Sequence, residues 1–359
     1  MKCLLFLLII VGLYLFTESI EQVHLSRGTS LSSVAVDFVS QISSGDFRID
    51  YCISSTACGT QKVGDDFLCQ PTIGCMYRTI VSNLSTNTLY QYRIMLDPTA
   101  SYPEGETSVM FDFRTGPYSR SYNSTTEDGE GSNSTSTSTR GSVVAVMADL
   151  GLYNGLSTNR LLNESVHSKF DWGIHIGDIS YDLFANNSQT GNSYMNQLQP
   201  MLSKQPVMVT AGNHEAGDNF EEYVHRFRST ELLAGVESKS NTNHYYSLDD
   251  GLIHFVFINI EVYSYPEQAQ NSPLPFTAAD QLAWLEQDLK EATAPERRAQ
   301  VPWIVMLGHR PWYSVSVNEY SELDQLMCRY TLYTLYTLYT LYTLYTSYTL
   351  YTLYTLYTL

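Results

Sequence analysis

The segment FDWGIHIGDISY, residues 170–181, carries the clearest signal of the fold class of this chain. It joins an apolar run, which has the length of a buried strand, to a polar cluster that begins at Gly177 and Asp178. The same pattern recurs in SVVAVMAD at 142–149 and in QPVMVTAGNH at 205–214, with helix-forming segments between the runs. This β-α-β alternation predicts an α/β sheet that presents its polar groups at the carboxyl ends of its strands.

The segments that follow extend the same domain. Three more strands are predicted, in HYYSL at 244–248, in LIHFVFINIE at 252–261 and at the start of VPWIVMLGHRPWY at 301–313. Between them, TAADQLAWLEQDLKEA places Leu282, Leu285 and Leu289 on one face of a helix. This spacing predicts an amphipathic helix that covers the sheet, with Thr277 as its N-cap.

The amino-terminal part of the chain has a different pattern. Short runs with strand composition recur there, separated by Gly, Ser, Asn and Asp: SVAVDFV, FRIDYCI, MYRTIV, LYQYRIML and SVMFDFRT. No segment predicts a long helix, and the spacing is typical of a small antiparallel β-sandwich. The predicted fold is therefore a β-sandwich at 20–117 followed by an α/β domain at 142–328.

Two segments lie outside these domains. Residues 1–19 hold Lys2, an apolar run to Phe16 and then small or polar residues, which is the pattern of a secretory signal peptide. A membrane anchor is the alternative, but the apolar run is short and no basic residues follow it, so no membrane contact is expected after cleavage. Residues 118–141 are rich in Ser, Thr, Gly and Asn and predict a flexible linker or surface loop.

The composition agrees with a secreted protein or with a lysosomal or vacuolar lumen. Sequons predict glycosylation at Asn83, Asn123, Asn133, Asn163 and Asn186. Two local disulfides are predicted from an even cluster whose pairing stays open, formed by Cys52, Cys58, Cys69 and Cys75. The net charge of −17 argues against a surface for nucleic acid or for an anionic membrane.

Polar side chains that can hold cations follow the strands of the α/β domain. They are Asp149, Asp178, Tyr181, Asn213, His214 and His309. Each alone would be taken for a helix cap or a satisfied loop residue. Their order on successive strands favours instead a site with carboxylate, amide and imidazole groups, which paired hard or borderline cations require. Asp178 is placed to bridge two cations, because Gly177 lets the backbone turn sharply before it.

These motifs resemble the metallophosphoesterase superfamily and, within it, the purple acid phosphatases. Members of the superfamily commonly carry Asp-x-His after the first strand, whereas here Asp149 is followed by leucine and glycine, and Tyr181 stands three residues after Asp178. That exchange of histidine for tyrosine marks the purple acid phosphatases, whose tyrosinate binds ferric iron. The resemblance covers about residues 22–328 and includes the sandwich, which in that family is fibronectin type III-like.

The resemblance implies a binuclear metal centre and a reaction. The implied roles are Asp149 and Tyr181 as ligands of Fe(III), Asp178 as the bridge, Asn213 and His309 as ligands of a divalent zinc, manganese or iron ion, and His214 as an outer-sphere proton donor. The implied activity is the hydrolysis of small phosphate monoesters, with a metal-bound hydroxide as the nucleophile. A phosphoesterase of diesters, nucleotides or lipids is the rival, since the pocket loops are not readable from the sequence.

The end of the chain departs from the family pattern. The family continues past the strand before His309 to a Gly-His-x-His motif whose histidines complete both metal sites, but no histidine follows His309 here. From Tyr330 the chain repeats Tyr-Thr-Leu, a unit without imidazole or carboxylate, and its period of three matches neither strand nor helix. We therefore expect 329–359 to be a low-complexity repeat that supplies neither ligands nor an apolar face.

Two consequences follow for the α/β domain. It is expected to be incomplete at its C-terminus and to lack at least one strand, with Cys328 as an odd cysteine beside the junction. The alternative function is then a catalytically inactive truncated homologue or a secreted binding glycoprotein, because two metal-ligand histidines are missing.

Overall fold

A computed structural model describes the chain over 20–43, 45–53, 57–64, 67–99, 101–117, 141–153, 155–264 and 275–310, at 323, 325, 326 and 329, and in the backbone of 354–357. The predicted signal peptide, nearly all of the linker, Cys328 and two sequon asparagines, Asn123 and Asn133, lie outside these residues. Within the described ranges, no helix has both the length and the apolar character that a bilayer crossing requires.

Two antiparallel sheets form the amino-terminal region. The strands are β1 (Ile20–Ser26), β2 (Val34–Ser40), β3 (Phe47–Cys52), β4 (Cys58–Lys62), β5 (Phe67–Gln70), β6 (Gly74–Val81), β7 (Leu89–Leu96), β8 (Glu106–Thr107) and β9 (Phe111–Arg114). One sheet has the order β1-β2-β6-β5; the other has the order β4-β3-β7-β8, with β9 also paired to β7. Inward side chains of both sheets share one core, in which the rings of Phe38, Phe47 and Tyr77 contact one another. The sheet-rich region predicted at 20–117 is therefore present.

Two disulfides close adjacent hairpins of this region. Cys52 pairs with Cys58 and Cys69 with Cys75. In each case the two cysteines stand directly opposite each other, across β3–β4 and across β5–β6. The pairing that the sequence left open is thus the local one. Each disulfide links an edge strand to its neighbour, β4 to β3 in one sheet and β5 to β6 in the other.

Two further sheets form the α/β domain. The strands are β10 (Val143–Met147), β11 (Trp172–Ile176), β12 (Val207–Thr210), β13 (Tyr246–Asp250), β14 (Ile253–Phe257), β15 (Trp303–Leu307) and β16 (Tyr354–Tyr357). The first sheet has the order β12-β11-β10-β16 and the second β13-β14-β15. Strands β10, β11 and β12 are parallel, as are β14 and β15. This arrangement agrees with the predicted alternation, although β13 begins two residues later than the sequence suggested.

Helices cover the outer faces of both sheets. They are α1 (Thr158–Val166), α2 (Gln189–Leu202), α3 (Glu221–Arg226), α4 (Arg228–Thr230), α5 (Glu261–Ser264), α6 (Ala278–Ala292) and α7 (Pro295–Arg298), with a 3₁₀ turn at Glu215–Asp218 and a π-helical turn at Glu231–Gly235. The predicted amphipathic helix is α6. Thr277 caps it through a reciprocal capping box with Asp280, and Leu285 and Leu289 are fully buried.

The sheets pack face to face between these helices. Trp172 of the first sheet meets Phe255 of the second edge to face, with ring centroids 5.2 Å apart. Leu161 of α1 and Leu198 of α2 pack on the outer face of the first sheet, while α6 packs on the outer face of the second. Strands β10, β11, β12 and β14 are buried on both faces, and they consist of nearly continuous apolar runs.

The repeat contributes one strand to the first sheet, a pairing that the sequence did not predict. Tyr354–Tyr357 pairs with β10 in antiparallel register, with Val143 opposite Tyr357 and Val146 opposite Tyr354. Pairing over four residues uses backbone N–H and C=O groups, which every residue here carries whatever the period of its side chains. A three-residue repeat is therefore no obstacle to a short edge strand.

Candidate metal centre

The loops that follow β10, β11, β12 and β15 meet at one edge of the two sheets. The backbone N–H of Asp149 donates to the carbonyl of Gly177 at 3.3 Å, which joins the first two loops. The His309 ring nitrogen Nδ1 lies 3.0 Å from the carbonyl oxygen of Ile176, at the end of β11. The polar residues predicted at separate strand ends are thus brought to a common place.

The backbone at this edge is held in an uncommon conformation. Asp149, Asp178 and Tyr181 have φ of 54°, 49° and 55°, in the left-handed region that residues with a Cβ rarely adopt. Such strain concentrates at functional sites. Gly177 has φ of 66°, and a Cβ there would lie 2.5 Å from His309 Nδ1. The glycine before Asp178 therefore permits both the turn and the approach of the histidine.

Three potential ligand groups converge at the centre of the site. One ligand atom each from Asp149, Asp178 and His309 lies within 4.8 Å of the others, a convergence that no other three His, Cys, Asp or Glu side chains match in the described parts of the chain. His309 Nε2 lies 3.4 Å from Asp178 Oδ1 and 3.2 Å from Asn213 Oδ1. Four of the six predicted site residues thus share one small, largely buried volume.

Tyr181 joins the same group through its hydroxyl. The phenol donates a hydrogen bond to Asp149 Oδ1 at 3.0 Å, and its ring packs edge to face on His214 with centroids 4.6 Å apart. A Cβ on Gly151 would lie only 2.7 Å from Tyr181 Cδ2. The tyrosine ring therefore occupies space that a side chain at position 151 would need, which is a steric counterpart of the exchange noted in the sequence.

His214 lies at the rim of the group. Its backbone N–H donates to Asp178 Oδ1 at 3.0 Å, and its ring nitrogen Nδ1 lies 2.9 Å from Asp182 Oδ1. The other ring nitrogen, Nε2, is 3.8 Å from Asp178 Oδ2. About a third of the side chain is exposed, 32%, so the ring is oriented by the protein and still open to solvent. Sequence reasoning did not identify Asp182.

Glu215 is a second residue that sequence reasoning missed. Its Oε2 accepts hydrogen bonds from the backbone N–H groups of Asp178 and Gly212, both at 2.8 Å, and its Oε1 accepts one from Ile179 at 2.9 Å. One buried carboxylate thus ties the loop after β11 to the loop after β12. The sequence offered only its adjacency to Asn213, because the three donors come from positions that converge only in the fold.

Burial and mutual charge shift the titration of these groups. Burial raises the pKa of Glu215 to about 7 and raises that of Asp149, although His309 and Tyr181 oppose the latter effect. Burial also disfavours ionised Asp178, but hydrogen bonding and the charge of His309 outweigh it and lower the pKa of that carboxyl. For His309, burial lowers the pKa, while Asp178 and Asp149 raise it to about 9.

An ion pair stands beside His309. Glu261 follows β14, is 2% exposed, and accepts a hydrogen bond from Arg310 Nε at 2.8 Å. Burial raises the pKa of Glu261, and the charge of Arg310 opposes that effect. Because β14 and β15 are parallel neighbours, the pair lies at the same edge as the converging carboxylates. Neither residue was singled out from the sequence.

The donor set fits a metal centre. Two carboxylates, a phenol, an amide oxygen and an imidazole converge, and this mixture suits hard or borderline cations. Asp149 and Asp178 are held near each other in a buried place, where the charge of one raises the pKa of the other. A bound cation would relieve that repulsion.

The sequon asparagines that the structure describes lie apart from this centre. Asn83, Asn163 and Asn186 are all exposed. Asn83 and Asn186 have positive φ outside the helices and strands, and Asn163 lies on α1. Their accessibility is compatible with glycosylation, which stays a prediction.

Comparison with known proteins shows which family and which relatives resemble the part of the chain that holds the site. Residues 142–335, more than half of the chain, match the family described as calcineurin-like phosphoesterase. Acid phosphatase type 7 of Danio rerio is 37% identical over 169 residues, which cover 47% of this chain and 35% of the relative. Purple acid phosphatase 15 of Arabidopsis thaliana is 29% identical over 286 residues, covering 72% and 46%.

A solved structure shares the fold. The purple acid phosphatase from yellow lupin (Lupinus luteus) seeds superposes with a TM-score of 0.62 at 17% identity, covering 88% of this chain and 57% of that one. The matched region spans about a third to a half of the length of the two curated relatives.

Proposed function

Since the chain belongs to the calcineurin-like phosphoesterase family, we propose that it is a purple acid phosphatase-like hydrolase of small phosphate monoesters. The observation that carries the proposal is the convergence of Asp149, Asp178 and His309, with the Tyr181 hydroxyl 3.0 Å from Asp149. The names of the relatives, acid phosphatase and purple acid phosphatase, support the same substrate class.

The proposed centre holds Fe(III) and a divalent zinc, manganese or iron ion. Asp149 and Tyr181 would hold the iron, Asp178 would bridge, and Asn213 and His309 would hold the divalent ion. A trivalent cation suits the phenol of Tyr181, because its charge lowers the pKa of a coordinating hydroxyl. When bound, the pair of cations supplies an activated water and neutralises charge on the phosphate oxygens.

The chain's own residues position the substrate and the loops. His214 is oriented by the Asp182 carboxylate and by its own backbone bond to Asp178. From there it would donate a proton or hydrogen bond to a phosphoryl or leaving-group oxygen. Glu215 holds the loops of Asp178 and Asn213 together through its three backbone hydrogen bonds.

The amino-terminal region supports a lumenal or secreted location. Its two hairpin disulfides are of the kind that persist in oxidising compartments. We further propose that this region is the fibronectin type III-like sandwich of the purple acid phosphatases, since two antiparallel sheets share one core there.

A catalytically inactive homologue is the second candidate. The observation that favours it is that residues 310–359 contain no histidine, whereas the resemblance calls for two more imidazole ligands. The two candidates differ in what the purified chain would do rather than in its fold.

Metal analysis and an activity assay separate the candidates. The purified chain is assayed for bound iron, visible absorbance and hydrolysis of 4-nitrophenyl phosphate near pH 5, beside Tyr181→Phe. The phosphatase proposal predicts iron, a visible phenolate band and turnover, with the band lost in the variant. Tyr153→Phe is the control, because that side chain is 82% exposed. Metal without turnover would favour the inactive homologue, and a wild-type chain that binds no metal would contradict the proposed centre.

A further inference from the structure

Strand β1 joins the sandwich to the phosphoesterase domain. It pairs with β2 of the sandwich, while the backbone N–H groups of Gln22 and Val23 donate to Asn196 Oδ1 at 3.1 Å and Gln199 Oε1 at 2.9 Å on helix α2. The β1 register shifts between Glu21 and His24, and Gln22 has φ of 56°. The bulge turns this end of β1 toward the second domain.

His24 stands at this junction with both ring nitrogens engaged. Nδ1 lies 2.8 Å from the carbonyl oxygen of Gln22, and Nε2 lies 2.8 Å from the carbonyl oxygen of Arg226 on helix α3. The residue is 5% exposed. A carbonyl oxygen only accepts, and a neutral imidazole has a single N–H. Two such contacts are both favourable only if the ring carries two protons.

The surroundings supply a counter-charge. Asp37 of β2 places Oδ2 3.9 Å from His24 Nε2, and Arg78 of β6 places Nε 3.6 Å from Asp37 Oδ1. Burial raises the pKa of Asp37, and the charges of His24 and Arg78 oppose that effect. The buried carboxylate thus lies between the His24 ring and the Arg78 guanidinium.

The other charged groups at the junction are engaged with each other. On α3 the Arg226 guanidinium is paired with Glu222 at 2.8 Å and also donates to Gln22 Oε1 at 2.7 Å. The carbonyl of His225 accepts from Arg78, and burial lowers the pKa of the His225 ring. The Phe227 ring packs edge to face on His24 at 5.8 Å. Asp37 is therefore the carboxylate that faces the imidazole.

We propose that His24 is a buried imidazolium that holds the first strand of the sandwich against the phosphoesterase domain, and that this contact is strongest in acid. Loss of one ring proton to solvent would leave a nitrogen lone pair facing a carbonyl oxygen at 2.8 Å and would deprive Asp37 of a neighbouring charge. The proposal does not depend on phosphatase activity.

Nitrogen NMR of the full-length chain with labelled histidine tests the protonation directly. The expected result near pH 7 is a His24 ring with two protonated nitrogens. His167 serves as the comparison, because its ring lies on the surface and contacts the carbonyl of Asn163 at 2.7 Å. The His24 ring signals are assigned in the wild-type chain through their connectivity to the backbone, and the signal that disappears in a folded His24→Gln variant checks the assignment. A neutral His24 ring near pH 7 would overturn the proposal.

Thermal unfolding tests the consequence for stability. The gap in melting temperature between wild type and His24→Gln should be wider near pH 5 than near pH 9 by about 2–4 °C. His167→Gln is the matched control, and its gap should stay constant. Taking differences between variants cancels the titration of the other groups. A His24→Gln gap that does not change with pH would overturn the coupling, and a variant that fails to fold leaves the NMR result to decide.

Discussion

The Tyr181 hydroxyl donates to Asp149 Oδ1 at 3.0 Å while the ring of Tyr181 lies over Gly151. The two residues come from loops after different strands, β10 and β11, and both have positive φ. A phenol and a carboxylate are thus held together by a backbone that residues with a Cβ rarely adopt. The contact between Tyr181 and Asp149 is possible in part because Gly151 has no side chain.

Gly151→Ala is expected to disturb this contact. The new Cβ would lie 2.7 Å from Tyr181 Cδ2, a distance that forces the ring to move away from Asp149. If the pair holds iron as proposed, metal affinity should fall at least about 10-fold, the low end for changes that misplace ligands. Iron content and the visible band measure it. Gly64→Ala is the control, because a Cβ there meets no atom within 4 Å. Equal iron in both variants would contradict the steric argument.

The sequence predicted the site through residues whose chemistry is local. Asp149, Asp178 and His309 each follow a buried apolar run, and the carboxyl ends of parallel strands share one edge of a sheet. Helix α6 was equally predictable from the sequence, since its N-cap residue Thr277 and the spacing of its leucines are local signals. The structure confirms that these elements form, and it places the predicted site residues together.

The residues that sequence reasoning missed act across the chain. Glu215 accepts from backbone groups of two separate loops, and Asp182 orients a ring 32 positions away. Strand β1 was missed because its apolar and polar residues alternate only over 23–26, after a bulge between Glu21 and His24 that the sequence does not reveal. β16 was not predicted, because the period of three gives its side chains no consistent apolar face, whereas its pairing depends on the backbone.

Glu215→Gln is expected to destabilise the chain by about 1–3 kcal/mol, the cost of burying mismatched donors. The amide nitrogen would face a backbone N–H where a carboxylate oxygen now accepts. Urea unfolding of the metal-free protein at a pH above about 7, where the Glu215 carboxyl is ionised, measures it, with surface-exposed Glu104→Gln as the control. An unchanged unfolding midpoint in Glu215→Gln would contradict the proposed bridging of the loops.

The same residue predicts a pH dependence. Burial raises the pKa of Glu215 from 4.5 to about 7, so the folded chain retains a proton that the unfolded chain has released. Wild-type stability should therefore decrease as the pH rises from 4.5 to about 7, and this contribution should be absent in Glu215→Gln. Unfolding midpoints across that range measure it. A variant with the same slope as wild type would assign the slope to other groups.

Reduction of the disulfides should destabilise the amino-terminal region. Each closes a short loop with a sequence separation of 6, for which chain entropy gives about 2 kcal/mol. The paired variants Cys52→Ser/Cys58→Ser and Cys69→Ser/Cys75→Ser each remove one link, and denaturant unfolding under oxidising conditions measures the loss. In each doubly substituted chain, reductant should no longer affect the hairpin that lacks its disulfide, while the other disulfide should still respond. A wild-type midpoint that does not move on reduction would contradict the assigned pairing.

Metal uptake through His309 should release a proton. In the metal-free chain burial lowers the pKa of His309, but Asp178 and Asp149 outweigh it and raise the pKa to about 9, so the ring is protonated near neutral pH. The stabilising contribution of the protonated His309 ring is complete below pH ~6.5, the ordinary histidine value, and is lost as the pH rises through about 9.

A cation binds only the neutral His309 ring, so the apparent metal affinity should rise about tenfold per pH unit up to a pH of about 9. Calorimetric titration of zinc in two buffers of different ionisation enthalpy measures the proton. His309→Gln is the control and should release about one proton fewer than wild type. Equal release by both proteins would exclude His309 as a ligand.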